Sequence, residues 1–157
     1  MNQQNQTIHK AIVRGDFSMF EAPSELVKWL IESNICEDAK TARKWMNAKI
    51  PKEKVYQKKI IEYLKSLKAL KCVDELFCWK EQSGPYQIQG LPDVFALIKT
   101  NNKSMIFGFE VKRPLLGSPS ELQLVTIQKI RQAGGVAEIV TYPFEIDEIL
   151  NRHKMLT

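Results

Sequence analysis

Apolar positions along the chain keep two rhythms, and the changes between them mark the elements. Leu26, Trp29 and Leu30 recur at helical spacing after Pro23, with Ser24 as the expected cap. Asn34 breaks that run. A second helix is expected from Glu37 and Asp38, whose charge suits a helix N-terminus; Ala39, Ala42, Trp45 and Met46 share one of its faces. Pro51 ends this unit or starts the next. A third helix is expected over Lys52–Leu70, with Val55, Ile60, Ile61, Leu64 and Leu67 on its apolar face. The rhythm then changes. Leu76–Lys80 reads as a strand, and the short runs Val94–Ile98 and Met105–Phe109, joined by a polar turn at Thr100–Lys103, read as a β-hairpin.

Around these runs the punctuation is clear. Ser83–Gly90, with Gly84-Pro85, predicts a loop, and Arg113–Pro119 a second. Ser120 caps a helix expected to reach Ala133, with Leu122, Val125 or Thr126, Ile127 and Ile130 on its apolar side; Gly134-Gly135 stops it. Val136–Tyr142 is a last strand. Pro143 breaks the chain, and Ile146–His153 is a closing helix. Residues 1 to about 20 show no clear period, and the first few are expected to be mobile. The order helix, three strands, helix, strand, helix predicts an α/β fold with one mixed central sheet. The expected division is a helical extension at 1–50 and a main domain at 51–157. The paired helices of the extension are open to two readings: a DNA-reading pair, or a hairpin packed through Trp29 and Trp45.

Composition changes this picture little. The chain has 157 residues, 44% apolar and 26% charged, as in ordinary globular proteins. No apolar run is long enough to span a bilayer, and MNQQNQTIHK does not read as a signal peptide. Cys36, Cys72 and Cys78 lack metal-ligand spacing and read as reduced thiols of a cytosolic protein. The net charge of +5 and pI near 9.1 favour a polyanionic partner only mildly. More pointed is the interval from Lys49 to Lys71, with eight lysines against Glu53 and Glu62. It reads either as a solvated helix face or as a surface for a phosphate backbone.

The chemistry gathers at the hairpin. Asp93 stands at the mouth of its first strand, and Glu110 and Lys112 at the end of its second. Side chains alternate along a strand, so Glu110 and Lys112 point one way and Val111 the other. The start of one strand of a hairpin lies beside the end of its partner, which brings Asp93 near both. Two carboxylates and an ammonium at one place suit a hard divalent cation with a phosphate bound to it. Taken singly, Asp93 as a loop cap and Glu110 as an edge ion pair with Lys112 are equally ordinary readings.

The ordered set Gly90-Leu91-Pro92-Asp93 and Glu110-Val111-Lys112 resembles the signature of the PD-(D/E)XK nuclease superfamily, and more narrowly that of the virus-type replication-repair nuclease (VRR-NUC) domain. Arg113-Pro114 after the Glu-x-Lys, Ser120-x-x-Gln123 opening the next helix, the Gly-Gly pair before a strand, and Glu53 with Gln57 on the upstream helix extend the likeness over roughly Lys52 to Leu150. The resemblance implies an αβββαβ restriction-endonuclease-like core. It implies Mg²⁺ or Mn²⁺ held by Asp93, Glu110 and the Val111 carbonyl, with Lys112, Gln123 and Glu53 completing the catalytic set. Lys58, Lys59, Arg113 and Ser120 are the expected nucleic-acid contacts. Standalone members of the family imply a homodimer cutting four-way DNA junctions, in the cytoplasm of a bacterial or phage-infected cell. A non-catalytic DNA-binding protein of the same fold, and a restriction-type enzyme reading sequence through the N-terminal helices, are the competing expectations.

Overall fold

The computed structural model of the chain describes residues 3–81, 88–100 and 103–156. Most of the loop expected at Ser83–Gly90, including Gly84-Pro85, and the centre of the Thr100–Lys103 turn lie outside the described residues. The chain divides into two compact units. One comprises Met1–Lys52 with Arg113–Gly117, the other Glu53–Lys112 with Ser118–Thr157.

In the first unit three helices surround a small core. They are α1 (Gln3–Val13), α2 (Pro23–Glu32) and α3 (Ala39–Lys49). Phe17, Leu26, Trp29, Leu30, Ala42, Met46 and Ile50 are its buried apolar residues, and Ile8, Ile12, Trp45 and Leu115 pack against them. The helix α1 corrects the expectation of an aperiodic start. Only Ile8 and Ile12, one turn apart, meet the core, so the apolar stripe is too narrow to read among Gln and Asn. Trp29 Nε1 ties the helix down by donating to Asn5 Oδ1 at 3.3 Å. Ser24 is not the cap of α2. Ala22 takes that position and Pro23 occupies the first turn, where its missing N–H costs nothing. At α3 the acidic start becomes a full capping box, with Asp38 accepting from the Thr41 amide at 2.7 Å. Asn34 adopts a φ of 56°, ending α2 by a left-handed residue.

The second unit is built on four strands in the order β1 (Glu75–Lys80), β2 (Val94–Thr100), β3 (Lys103–Val111), β4 (Val136–Val140). The first three are antiparallel, and β4 joins β3 in parallel after a helical crossover. With α4 (Glu53–Ala69) before β1, α5 (Glu121–Gln132) in the crossover and α6 (Pro143–Arg152) at the end, this is the expected αβββαβ core with a mixed sheet. Pro143 opens α6 rather than breaking the chain ahead of it.

The core lies on one sheet face. Val94, Ala96 and Ile98 of β2 alternate inward, as do Phe107, Phe109 and Val111 of β3, and they meet Tyr56, Ile60 and Leu64 of α4 and Ile146 and Leu150 of α6. Tyr63 of α4 donates to Asp147 of α6, joining the two helices. On the opposite face α5 covers the β3–β4 end, where Ile130 approaches Ile106. The apolar side expected for α5 is only partly used: Ile127 is buried, whereas Leu122 and Val125 stay nearly half exposed. Phe77 and Leu97, on the uncovered part of this face, are 65% and 47% exposed. Phe107→Ala should therefore cost roughly 3–5 kcal/mol in urea unfolding, while Phe77→Ala should leave the midpoint nearly unchanged; equal losses at both positions would contradict this division of the faces.

Candidate functional site

The hairpin register builds the centre of the site. Its last pair is Val94 with Phe109, so one step further Asp93 falls opposite Glu110. Directly opposed residues of an antiparallel pair share a face, with Cβ atoms about 5 Å apart. Asp93 Oδ2 accepts from the Val111 amide at 2.9 Å, which fixes its carboxylate at the strand mouth.

Glu110 is fully buried, an expensive place for a carboxylate. Its Oε1 receives two donors: Lys112 Nζ at 2.5 Å and Gln123 Nε2 at 2.5 Å. Its Oε2 is buried and has no hydrogen-bond partner among the described residues. Burial pushes the Glu110 carboxyl up to about 7. The hydrogen bond from Lys112 opposes this, and the nearby charge of Asp93 adds to it. Lys112 is itself only 11% exposed, and its ammonium stands 4.0 Å from Glu53 Oε2 on the first turn of α4. The structure thus brings together Asp93, Glu110, Lys112, Gln123 and Glu53, with the Val111 backbone between them.

Gln123 serves two purposes. Its Oε1 accepts from the Ser120 amide at 2.8 Å, closing the capping box of α5, while its Nε2 reaches Glu110. Ser120 accordingly works as a cap, its Oγ accepting from the Gln123 amide at 3.3 Å. Gly90 explains how α5 comes so close. A Cβ there would lie 2.6 Å from Leu122 Cγ and 3.0 Å from the Leu122 carbonyl, and the residue has a φ of +81°. The close approach is that of α5, one residue before Gln123.

Lys112 is held by its backbone. Its amide donates to the Val140 carbonyl at 2.9 Å, and its carbonyl accepts from Thr141 Oγ1 at 2.9 Å. Sequence reading missed Thr141, which only looks like the tail of a strand. The other candidates stand apart from this centre. The Arg113 guanidinium donates to the carbonyls of Asn47, Ile50 and Pro51, at 2.6–3.1 Å, and so caps the end of α3. Lys58 forms an exposed i,i+4 pair with Glu62, and Lys59 lies over the Tyr56 ring. Gln57 is buried. Tyr56 and Phe109 are fully buried, and Trp79 stacks on Phe95 at 5.3 Å.

Hard oxygen donors are present for a small divalent cation: the unpartnered Glu110 Oε2 and the Asp93 carboxylate opposite. Among the described residues no three Asp, Glu, His or Cys side chains form a ready cluster. Two carboxylates and a carbonyl, completed by water and phosphate, are the sparse kind of set that Mg²⁺ uses.

Among solved structures, one described as a VRR_NUC domain is similar to this chain, with 20% identity and a TM-score of 0.47 over 63% of this chain and 94% of that one. No family model and no curated protein matches the chain. No helix among the described residues is long and apolar enough to cross a membrane.

Two outcomes follow from the geometry. Gly90→Ala should destabilise the protein by at least 1 kcal/mol, on the order of a left-handed glycine replaced against a close neighbour, as read from chemical unfolding; an unchanged midpoint would remove the Gly90–Leu122 contact as a constraint. The Glu110 carboxyl titrates higher in the folded protein than in the unfolded chain, so its ionisation works against folding. No penalty exists below pH 4.5, it grows as pH rises through the window, and it is complete above about 7. At 1.36 kcal/mol per unit this is roughly 3 kcal/mol. In EDTA, the stability of the wild type relative to Glu110→Gln should fall over that window; a flat difference would contradict it.

Proposed function

We propose that this chain is a metal-dependent nuclease that hydrolyses phosphodiester bonds in DNA. The observation that carries the reading is the buried Glu110 opposite Asp93, with one oxygen shared by Lys112 and Gln123 and the other left without a partner. A purely structural carboxylate would have both oxygens satisfied or would be at the surface.

In this reading Asp93, Glu110 and the Val111 carbonyl hold Mg²⁺ or Mn²⁺. When bound, that ion polarises the phosphate and acidifies a water. Each protein group has a definite part. Asp93 is oriented by the Val111 amide and presents its other oxygen. Gln123 keeps Glu110 aimed, since its own oxygen is anchored on the helix cap. Lys112 moves from Glu110 Oε1 to hold the attacking water or to offset charge on the phosphate as the transition state forms. Glu53, 4.0 Å from the Lys112 ammonium, draws it by charge and so positions it. The water gives up one proton to solvent as its oxygen bonds to phosphorus, the bond to the leaving sugar oxygen breaks in line, and that oxygen departs with a proton from solvent.

The finer reading is a homodimer acting on branched DNA such as four-way junctions. A two-fold dimer presents two equivalent sites, matching the two-fold symmetry of a junction. The uncovered sheet face, with Phe77 and Leu97, and the exposed Leu122 and Val125 of α5 supply apolar surface that a second copy would cover.

The test is cleavage of a labelled four-way junction beside linear duplex and single strand, in Mg²⁺, Mn²⁺ or EDTA. Cuts should require a metal and fall symmetrically on the junction. Asp93→Ala and Lys112→Ala should each reduce the rate at least 100-fold, the scale of losing a metal ligand or a charge-stabilising group. Uniform cutting of all substrates would remove the branch preference. Tight binding without any cleavage would replace the enzyme by a DNA-binding protein. Sedimentation of the wild type should give the mass of a dimer; a monomer at all concentrations would remove the two-fold arrangement.

A further inference from the structure

A groove of about 290 Å³ lies between α4 and β1, lined among others by Lys54, Lys58, Lys65, Lys80, Gln57 and Glu62. Four ammonium groups face one carboxylate, a net charge of +3. Lys54, Lys65 and Lys80 are exposed and make no ion pair among the described residues. The one pair in the groove, Lys58 with Glu62, is 3.7 Å apart with both side chains largely in solvent, where such pairs are weak and easily exchanged.

Both walls of the groove run back to the candidate site. On α4 the row Lys54, Lys58, Lys65 begins one residue after Glu53, which meets Lys112. Gln57, buried one turn after Glu53, lines the groove beside that row. On β1, Lys80 pairs with Val94, and the next residue, Glu81, donates its amide to the Asp93 carbonyl at 2.8 Å. At 1.5 Å per residue, Lys54 to Lys65 covers about 16 Å. One DNA strand carries a charge every 3.4 Å along the helix axis, so this length matches about five phosphates. The lysine spacing follows the helix surface, and ammonium groups grip phosphates as point charges without reading sequence.

We infer that this groove is a track for the phosphodiester backbone of the DNA strand that enters or leaves the site, gripping it without regard to sequence. The inference rests on the nuclease reading for the identity of the polyanion. It excludes Lys59, whose ammonium lies 5.7 Å over the Tyr56 ring, and adds Lys54, Lys65 and Lys80.

The experiment is anisotropy of labelled 20-nucleotide single strand and 20-base-pair duplex in EDTA, across a salt series, so that binding is read apart from hydrolysis. The variant is Lys54→Gln/Lys65→Gln/Lys80→Gln. The control, Lys99→Gln/Lys129→Gln/Lys154→Gln, removes the same charge elsewhere in the same unit. Each lost phosphate contact lowers the slope of log affinity against log salt by about 0.7 for single strand and 0.9 for duplex. The groove variant should lose about 2 of slope on single strand or about 3 on duplex, and the control should lose less than 1. Equal slopes in wild type and groove variant would overturn the inference, as would equal losses in groove variant and control. If the groove variant instead loses binding of poly-glutamate but keeps DNA binding, the groove belongs to an acidic protein segment and the inference fails. Cleavage in Mn²⁺ is scored separately. Loss of slope with an inactive wild type keeps the track and removes the nuclease. An unchanged slope with an active wild type does the reverse.

Discussion

The second unit is arranged around a carboxylate that the fold keeps out of water. Glu110 lies on β3 with no exposure, one of its oxygens carries two donors, and the other carries none among the described residues. Ionising such a group costs free energy that no packing contact returns. The neighbours can be understood as responses to it. Lys112 offsets the charge, Gln123 fixes the orientation, and Asp93, which raises the cost further, is placed directly across the hairpin. A structure selected for stability alone would have an apolar residue at this position, on the sheet face that α5 covers. Retaining an uncompensated oxygen beside a second carboxylate makes sense when a cation supplies the missing charge.

How much of this was readable beforehand depends on the range of each interaction. The Asp93–Glu110 juxtaposition was legible, because hairpin topology and strand alternation require it once the two runs are recognised. The αβββαβ order was legible for the same reason: each element carries its own period and its own stop signals. The Ser120–Gln123 capping box was visible as a local pattern. That Gln123 also reaches Glu110 was not visible in that pattern, because the reach depends on how closely α5 approaches the hairpin, and that distance is set by the missing Cβ of Gly90.

Failures occurred where local pattern was a poor guide to partners. The helix α1 shows only two apolar residues to its core, so periodicity could not reveal it. The apolar side of α5 looked ready for burial, yet Leu122 and Val125 stay half exposed, since the helix covers only the β3–β4 end of the sheet. Arg113 follows the Glu-x-Lys run and looked like a phosphate contact. Its planar fork instead satisfies three carbonyls at the end of α3, a demand that composition cannot announce.

The position of Lys112 shows how the parts combine. It stands just past the last residue of β3, where a chain leaving a sheet ordinarily gains freedom. Here its amide and carbonyl are both bonded to the end of β4, through Val140 and Thr141. Thr141 and Tyr142 are in turn held by the Glu145 carboxylate, which accepts both of their amides at 2.6 Å on the first turn of α6. The ammonium therefore hangs from a backbone fixed by the parallel strand and the closing helix, and only its side chain is free to move between Glu110 and Glu53. That separation matters for chemistry. In the proposed hydrolysis the group that shifts is the flexible stem of one lysine, while the carboxylates beside it stay where the hairpin register and the cap of α5 place them. The crossover β3–α5–β4 thus does more than complete the sheet. It brings Gln123 to Glu110 at its start and Thr141 to Lys112 just beyond its end, fastening both members of the Glu-x-Lys pair from one connected segment.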